Sequence, residues 1–289
     1  MTPRQGLRRL IGKTGYTMVP GAYDTLTARL VEAAGFAAVY LTGGGYSRAS
    51  GYPDLGLLSL TENVQFIGRT VEAVGIPVIA DADTGYGNAI NVIRTVREYE
   101  KTGVAGFHIE DQVSSKKCGH YEGKEVISRA EMVGKIKAAV DARTDPALVI
   151  MGRTGTRGGG PSPSSLDGAI ARAVAYEGTG VDALFFTGIK SRAELEAVSA
   201  ATKLPIALGG FPEEMIDLDY LANQRVRIAL QGHAPFAAAT LAVYETLKAL
   251  RSGTAAKSLK GLASAELMGR LTRDADVKAR GGEFLGLRK

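Results

Sequence analysis

Two hydrophobic rhythms alternate along the chain. Short, nearly continuous apolar runs fall at 17–23 (TMVPGAY), 37–43 (AAVYLTG), 76–83 (IPVIADAD), 104–111 (VAGFHIED), 147–153 (ALVIMGR), 182–188 (DALFFTG), 204–210 (LPIALGG) and 226–232 (VRIALQG). Each has the length and two-sided apolar character of a parallel strand covered on both faces. Between them the apolar positions recur at helical spacing. DTLTARLVEAAG predicts a helix capped by Asp24 and stopped at Gly35, and LTENVQFIGRTVEAVG one capped by Thr61 and stopped at Gly75. Further helical patterns follow in NAINVIRTVREYEKTG, SRAEMVGKIKAAVDA, LDGAIARAVAYEGTG and SRAELEAVSAAT. The tetrapeptide SRAE, at 128–131 and 191–194, sets Ser three residues before Glu and reads as a capping box twice.

Eight strand signals, each followed by a helix, predict an α/β fold of the (β/α)8 (TIM) barrel type, one domain over 1–289. A doubly wound sheet is the rival; even spacing and the absence of a split favour the barrel. Residues 252–289 predict a C-terminal helical extension beyond the eighth unit. The stretch GRTGTRGGGPSPSSLDG is a loop by composition and follows the fifth strand, on the face where barrel active sites lie.

Composition narrows the class. Of 289 residues, 45% are hydrophobic and 22% charged, as in ordinary globular proteins. One cysteine excludes an internal disulfide framework and points to a reducing, cytoplasmic setting. No signal-peptide run and no 18-residue apolar run occurs, so no membrane partner is expected. The formal charge of +5 is scattered without a Lys/Arg block, which argues against nucleic acid and fits a small anionic substrate.

The chemistry concentrates at strand ends. In ADADTGYGN, Asp81 and Asp83 are two apart, which in a strand puts both on one side. Unpartnered burial of such carboxylates is costly, and a divalent cation is the simplest partner; the bland alternative is a pair of helix caps. HIEDQ adds Glu110 and Asp111, and GYPDLG adds Asp54, a turn aspartate on the bland reading. An all-oxygen set suits Mg²⁺, or Mn²⁺, rather than zinc. His108 reads first as a satisfied core histidine. The Gly-rich YLTGGG predicts a loop whose free N–H groups could cradle an anion. Arg153 ends strand five and presents a fork for a carboxylate. Cys118 sits in SSKKCGHYEGK, where Lys116, Lys117 and His120 would favour its thiolate and suit it to acid–base work on carbon.

Taken in order, YLTGGG, GYPDLG, DADTGYGN, HIEDQ and KKCGH resemble the isocitrate lyase/phosphoenolpyruvate mutase superfamily, most strongly over residues 15–155. The resemblance implies a barrel assembled as a homotetramer, a dimer of dimers that swap the last barrel helix. It implies Mg²⁺ bound directly by Asp81, in preference to Asp83, with Asp54, Asp83 and Glu110 holding it through water. It implies a substrate site at Tyr40, Thr42, Gly43, Gly44, Asp81 and Arg153, and chemistry through the enolate of a 2-oxo acid held on the metal.

Within the superfamily the two halves point to different branches. KKCGH resembles the loop of lyases that split isocitrate, 2-methylisocitrate or 2,3-dimethylmalate, where the cysteine protonates the departing carbanion; Cys118 would then be the general acid, poised by Lys117 and His120. Those lyases carry a glutamate near the end of strand six, where this chain has Thr187, and an Asn-x-Thr-Glu run after strand seven, where it has Gly209, Phe211 and Pro212, with Glu213 one residue out of register. After Arg153 they read Thr-Asp; this chain reads Thr154-Gly155. FFTGI and LQGHAPF, with His233 at the mouth, resemble the oxaloacetate decarboxylase branch, which lacks the cysteine loop. For a large dicarboxylate product, each missing partner of the leaving group would cost about 2–4 kcal/mol of transition-state stabilisation. A leaving group such as CO₂ avoids that cost. The reading therefore leads with a Mg²⁺-dependent carbon–carbon lyase decarboxylating oxaloacetate or a close analogue. The dimethylmalate-type cleavage follows, then phosphonopyruvate hydrolase or mutase chemistry.

Overall fold

The computed structural model describes residues 1–117, 125–154 and 165–286. The eight apolar runs become eight strands: β1 (Thr17–Ala22), β2 (Val39–Leu41), β3 (Val78–Asp81), β4 (Gly106–Glu110), β5 (Val149–Thr154), β6 (Ala183–Thr187), β7 (Ile206–Gly209) and β8 (Val226–Gln231). All pair in parallel with their sequence neighbours, and β8 closes on β1 through Thr17↔Ile228 to Pro20↔Gln231. This is the (β/α)8 barrel rather than the doubly wound sheet.

Ten helices alternate with the strands in sequence. α1 (Pro3–Gly12) precedes β1, α2 (Thr25–Ala33) follows it, and α3 (Gly43–Ala49) and α4 (Leu60–Ala73) follow β2. α5 (Ala89–Lys101), α6 (Arg129–Ala142), α7 (Leu166–Glu177), α8 (Arg192–Ala200), α9 (Leu218–Asn223) and α10 (Ala234–Arg251) follow β3 to β8 in turn.

The barrel interior is packed, not open. Val19, Tyr40, Ile79, Val149, Met151, Phe185, Ile228 and Leu230 cluster inside it with Leu7, Leu10 and Ile11 of α1. α1 is thus a plug, and Gly106 makes room for it: a Cβ there would stand 2.7 Å from Leu7 Cδ2. Arg4 pairs with Asp145 at 2.7 Å and Arg8 with Asp182 at 2.6 Å, pinning the plug. A second apolar layer, including Phe66, Tyr99, Phe107, Ile136, Tyr176 and Phe186, lies between strands and helices.

Local signals mostly act as read. Asp24 caps α2 by accepting the Thr27 N–H. α4 is capped by Ser59 in a full box with Glu62, not by Thr61; the serine stands three residues before a glutamate that can return the bond, which Thr61 does not. The serine half of both SRAE boxes forms, at Ser128 and Ser191. The carboxylate of Glu194, however, accepts from the Lys190 N–H.

The chain divides into two compact units, Met1–His233 and Ala234–Lys289. The second contains α10, α11 (Ala265–Thr272) and α12 (Asp274–Leu285). Among the described residues no helix is long and apolar enough to cross a membrane.

Candidate active site

Every described candidate falls at the C-terminal ends of β2 to β5 and β8, or in the segments that follow them. β3 ends at Asp81, and Asp83 lies beyond it with φ +46°. The two carboxylates therefore converge through a left-handed turn, closed by the Asp83 N–H donating to Asp81 Oδ1 at 2.9 Å, rather than through strand alternation. Asp tolerates this conformation better than most residues. Tyr99 fixes the turn from behind, its hydroxyl donating to the Asp81 carbonyl at 2.9 Å.

Glycine 43 and 44 do not form the open loop expected of YLTGGG. They begin α3, with Thr42 as N-cap accepting the Gly45 N–H at 3.3 Å. A Cβ on Gly43 would stand 2.7 Å from Asp81 Oδ2, and one on Gly44 2.5 Å from Asp54 Oδ2. The glycines let two carboxylates press against backbone, and the first N–H groups of the helix have no acceptor within it. His233 Cε1 is 3.2 Å from the same Gly44 position, which places His233 at the mouth beside Asp54.

Register sets the next pair. Glu110 of β4 lies opposite Arg153 of β5, and Arg153 Nη2 is 3.4 Å from Glu110 Oε1 while Nη1 is 3.7 Å from Asp81 Oδ2. Arg153 also lies over the Phe185 ring, 5.0 Å from its centroid. Arg153 Nε and Glu110 Oε2 are buried without a hydrogen-bond partner. Below them His108 Nε2 is 3.0 Å from the Tyr40 hydroxyl, which donates to Asp81 Oδ2 at 3.4 Å. Burial pushes His108 down to about 3, so the imidazole is neutral.

Two residues join the site that the sequence reading did not place there. Lys116, 6% exposed, sets its ammonium among the acids: 2.5 Å from Asp83 Oδ1 and 3.4 Å from both Asp54 Oδ1 and Asp81 Oδ2. Burial alone would lower its pKa, but the surrounding carboxylates carry it well above the usual lysine value. Burial would likewise raise Asp81, yet Lys116 and Arg153 hold it well below the usual carboxylate range; burial prevails at Asp83, raised to about 6. Gln112 donates to Glu110 Oε1 at 2.6 Å and accepts the Lys117 N–H at 2.9 Å. The period-two series His108, Glu110, Gln112 was a signal that could have found it. Lys116 had no local signal, because its partners stand 33 to 62 positions earlier in the chain.

Other candidates are placed differently. Asp111 faces away from the acids, accepting from Tyr176 at 2.7 Å and Arg172 at 3.1 Å. Lys117 is exposed, and Cys118 and His120 lie outside the described residues.

The acids suit a hard divalent cation: all donors are oxygen, one Glu110 oxygen is unpartnered, and among the described residues Lys116 and Arg153 are the cationic side chains facing the four carboxylates. Yet among the described residues no three His, Cys, Asp or Glu side chains are arranged to hold a metal ion; the Lys116 ammonium stands between them instead.

Between β6 and β7, a Cβ on Gly209 would stand 2.8 Å from the Phe185 ring and 3.3 Å from the Thr187 methyl. Phe185 occupies the space a larger residue at 209 would need. Glu213 is exposed, on a short 3₁₀ turn.

Comparison with known proteins agrees with this geometry. The family described as phosphoenolpyruvate phosphomutase matches residues 7–251. A protein from Bradyrhizobium diazoefficiens named oxaloacetate decarboxylase is 54% identical over 99% of this chain and 98% of its own. Among solved structures, 2,3-dimethylmalate lyase, a PEP mutase/isocitrate lyase superfamily member, superposes with TM-score 0.85 at 31% identity, covering 100% of this chain and 99% of that one. Phosphonopyruvate hydrolase, in complex with oxalate and Mg²⁺, superposes with TM-score 0.86 at 29% identity, covering 99% and 100%. The chain belongs to the phosphoenolpyruvate mutase/isocitrate lyase superfamily.

Proposed function

We propose that this protein is a carbon–carbon lyase, a Mg²⁺-dependent decarboxylase of oxaloacetate. The observation that carries the reading is the wall formed by Phe185, Gly209 and the Thr187 methyl. These three residues themselves present no charged or amide side-chain group to a second carboxylic product. The full-length likeness to a named oxaloacetate decarboxylase supports it.

In the reaction the C3–C4 bond breaks and CO₂ leaves. The electron pair passes to the C2 oxygen as the enolate of pyruvate, and a proton added at C3 completes pyruvate. Arg153 and the first N–H groups of α3 bind and orient the C1 carboxylate. Asp81, anionic across the working range, with Asp54, Asp83 and Glu110, would hold the Mg²⁺. When bound, the cation supplies a Lewis acid for the charge developing at C2. An apolar wall favours neutral CO₂ over the carboxylate it came from. His233 at the mouth contacts the substrate, while Cys118, tuned by Lys117 and His120, is the general acid of the cleavage reading below.

A dimethylmalate-type cleavage is the second reading, favoured by the KKCGH stretch and by the likeness to 2,3-dimethylmalate lyase. A panel of oxaloacetate, 2,3-dimethylmalate, 2-methylisocitrate and phosphonopyruvate, assayed with Mg²⁺ and with chelator, separates them. The expected result is metal-dependent release of pyruvate and CO₂ from oxaloacetate. Faster turnover of a dimethylmalate or methylisocitrate would transfer the assignment to the second reading. Oxaloacetate turnover unaffected by chelator would overturn the metal-assisted one.

We also place the protein in the cytoplasm, which its single cysteine suits, as a homotetramer of helix-swapped dimers. Support for the assembly lies in α10, which contains no buried residue.

A further inference from the structure

We propose that the Lys116 ammonium and the divalent cation are alternative occupants of one carboxylate cage, so that cation binding drives Lys116 out of it. The inference rests on the acid cluster being a cation site. Lysine is rarely buried unless paired, and Lys116 is paired with three carboxylates at once. Its stem runs past Gly56, where a Cβ would stand 3.4 Å from Lys116 Cγ, an ordinary contact distance.

The oxygens that face the ammonium are those of Asp54, Asp81 and Asp83, three of the four acids that would take a cation. Mg²⁺ draws its oxygen ligands to roughly 2.0–2.1 Å. The ammonium holds two of these oxygens at 3.4 Å, so the cage cannot contract while it remains. An ammonium and a dication sharing the same oxygens would also repel at close range in a poorly solvated site. Without either cation, Arg153 would be the one cationic side chain left against these carboxylates among the described residues. Lys116 therefore keeps the metal-free protein folded by standing where the cation goes.

The ammonium's position can be read directly. Wild-type protein is acylated with N-hydroxysuccinimidyl acetate in chelator and in saturating Mn²⁺, and labelling is resolved by mass spectrometry. Mn²⁺ binding is followed in the same samples by its paramagnetic resonance signal. Exposed Lys117 serves as the internal reference. Lys116 should be protected without metal and labelled about tenfold faster with it. Lys116→Met, which has no ammonium to displace, should bind Mn²⁺ about tenfold more tightly. Mn²⁺ binding with Lys116 still protected, or a variant that binds no tighter, would overturn the exchange alone. No Mn²⁺ binding to either protein would overturn the cation-site reading and the exchange with it. If the variant does not fold, wild-type labelling decides.

Discussion

A fully buried, neutral imidazole beneath four carboxylates is the residue with the clearest pH signature. His108 is 0% exposed and bonded to Tyr40, and burial lowers it to about 3, against about 6.5 in an unfolded chain. Between those values the unfolded chain binds a proton that the native protein refuses. Its contribution to stability is thus complete above about 6.5 and lost as pH falls toward 3, at a slope of about 1.4 kcal/mol per pH unit. Asp83, raised to about 6, acts in the opposite sense: the native protein keeps its proton, and stability from this group falls as pH rises toward 6. Asp83 is common to wild type and His108→Gln, so its effect largely cancels in their difference. Urea unfolding of the two metal-free proteins between pH 4 and 7 should therefore diverge, wild type losing about one proton's worth of slope more on acidification. Parallel curves would mean that His108 is protonated in the native barrel.

At the scale of elements, the strands were legible because parallel strands covered on both faces must be apolar throughout, as IPVIADAD and ALVIMGR are. What the pattern left hidden depended on partners distant in sequence. YLTGGG has loop composition, yet Thr42 supplies a helix cap and two carboxylates from β3 and the 51–59 segment need the missing Cβ atoms. Asp111 looked like a fifth acid, but its partner, Arg172, comes from α7, 61 residues on. That pair anchors the neck that carries Lys116. Ile127 N–H donates to the Asp111 carbonyl, Gln112 bridges to Val126 in antiparallel fashion, and Arg172 also donates to the Ile127 carbonyl at 2.8 Å. Arg172→Met would remove the guanidinium 3.1 Å from Asp111, which is 0% exposed, and should cost about 3–5 kcal/mol in urea unfolding at neutral pH. Adding Asp111→Asn removes the carboxylate charge and should recover most of the stability. A single variant within 1 kcal/mol of wild type, roughly the worth of an exposed pair, would deny the anchor its role.

For the molecule as a whole, eight strands and the acid cluster at their ends were readable from one chain, while the exposed apolar side of α10 was not. α10 follows β8, yet it belongs to the second compact unit and buries none of its own side chains. Leu241, Tyr244 and Leu247, three residues apart, are 61%, 59% and 58% exposed, an apolar stripe down one side of the helix. Contiguous apolar surface of this kind marks an interaction site, and the proposed exchange between copies would cover it. The native mass in solution should then be four times 30.3 kDa by light scattering. Leu247→Asp places a charge in the middle of the stripe, where burial against a partner would leave it unpaired. The variant should shift to smaller species and unfold at lower temperature, whereas Lys257→Asp, at an exposed position off the stripe, should do neither. A wild-type monomer, or a Leu247→Asp protein of unchanged mass, would remove α10 from the interface.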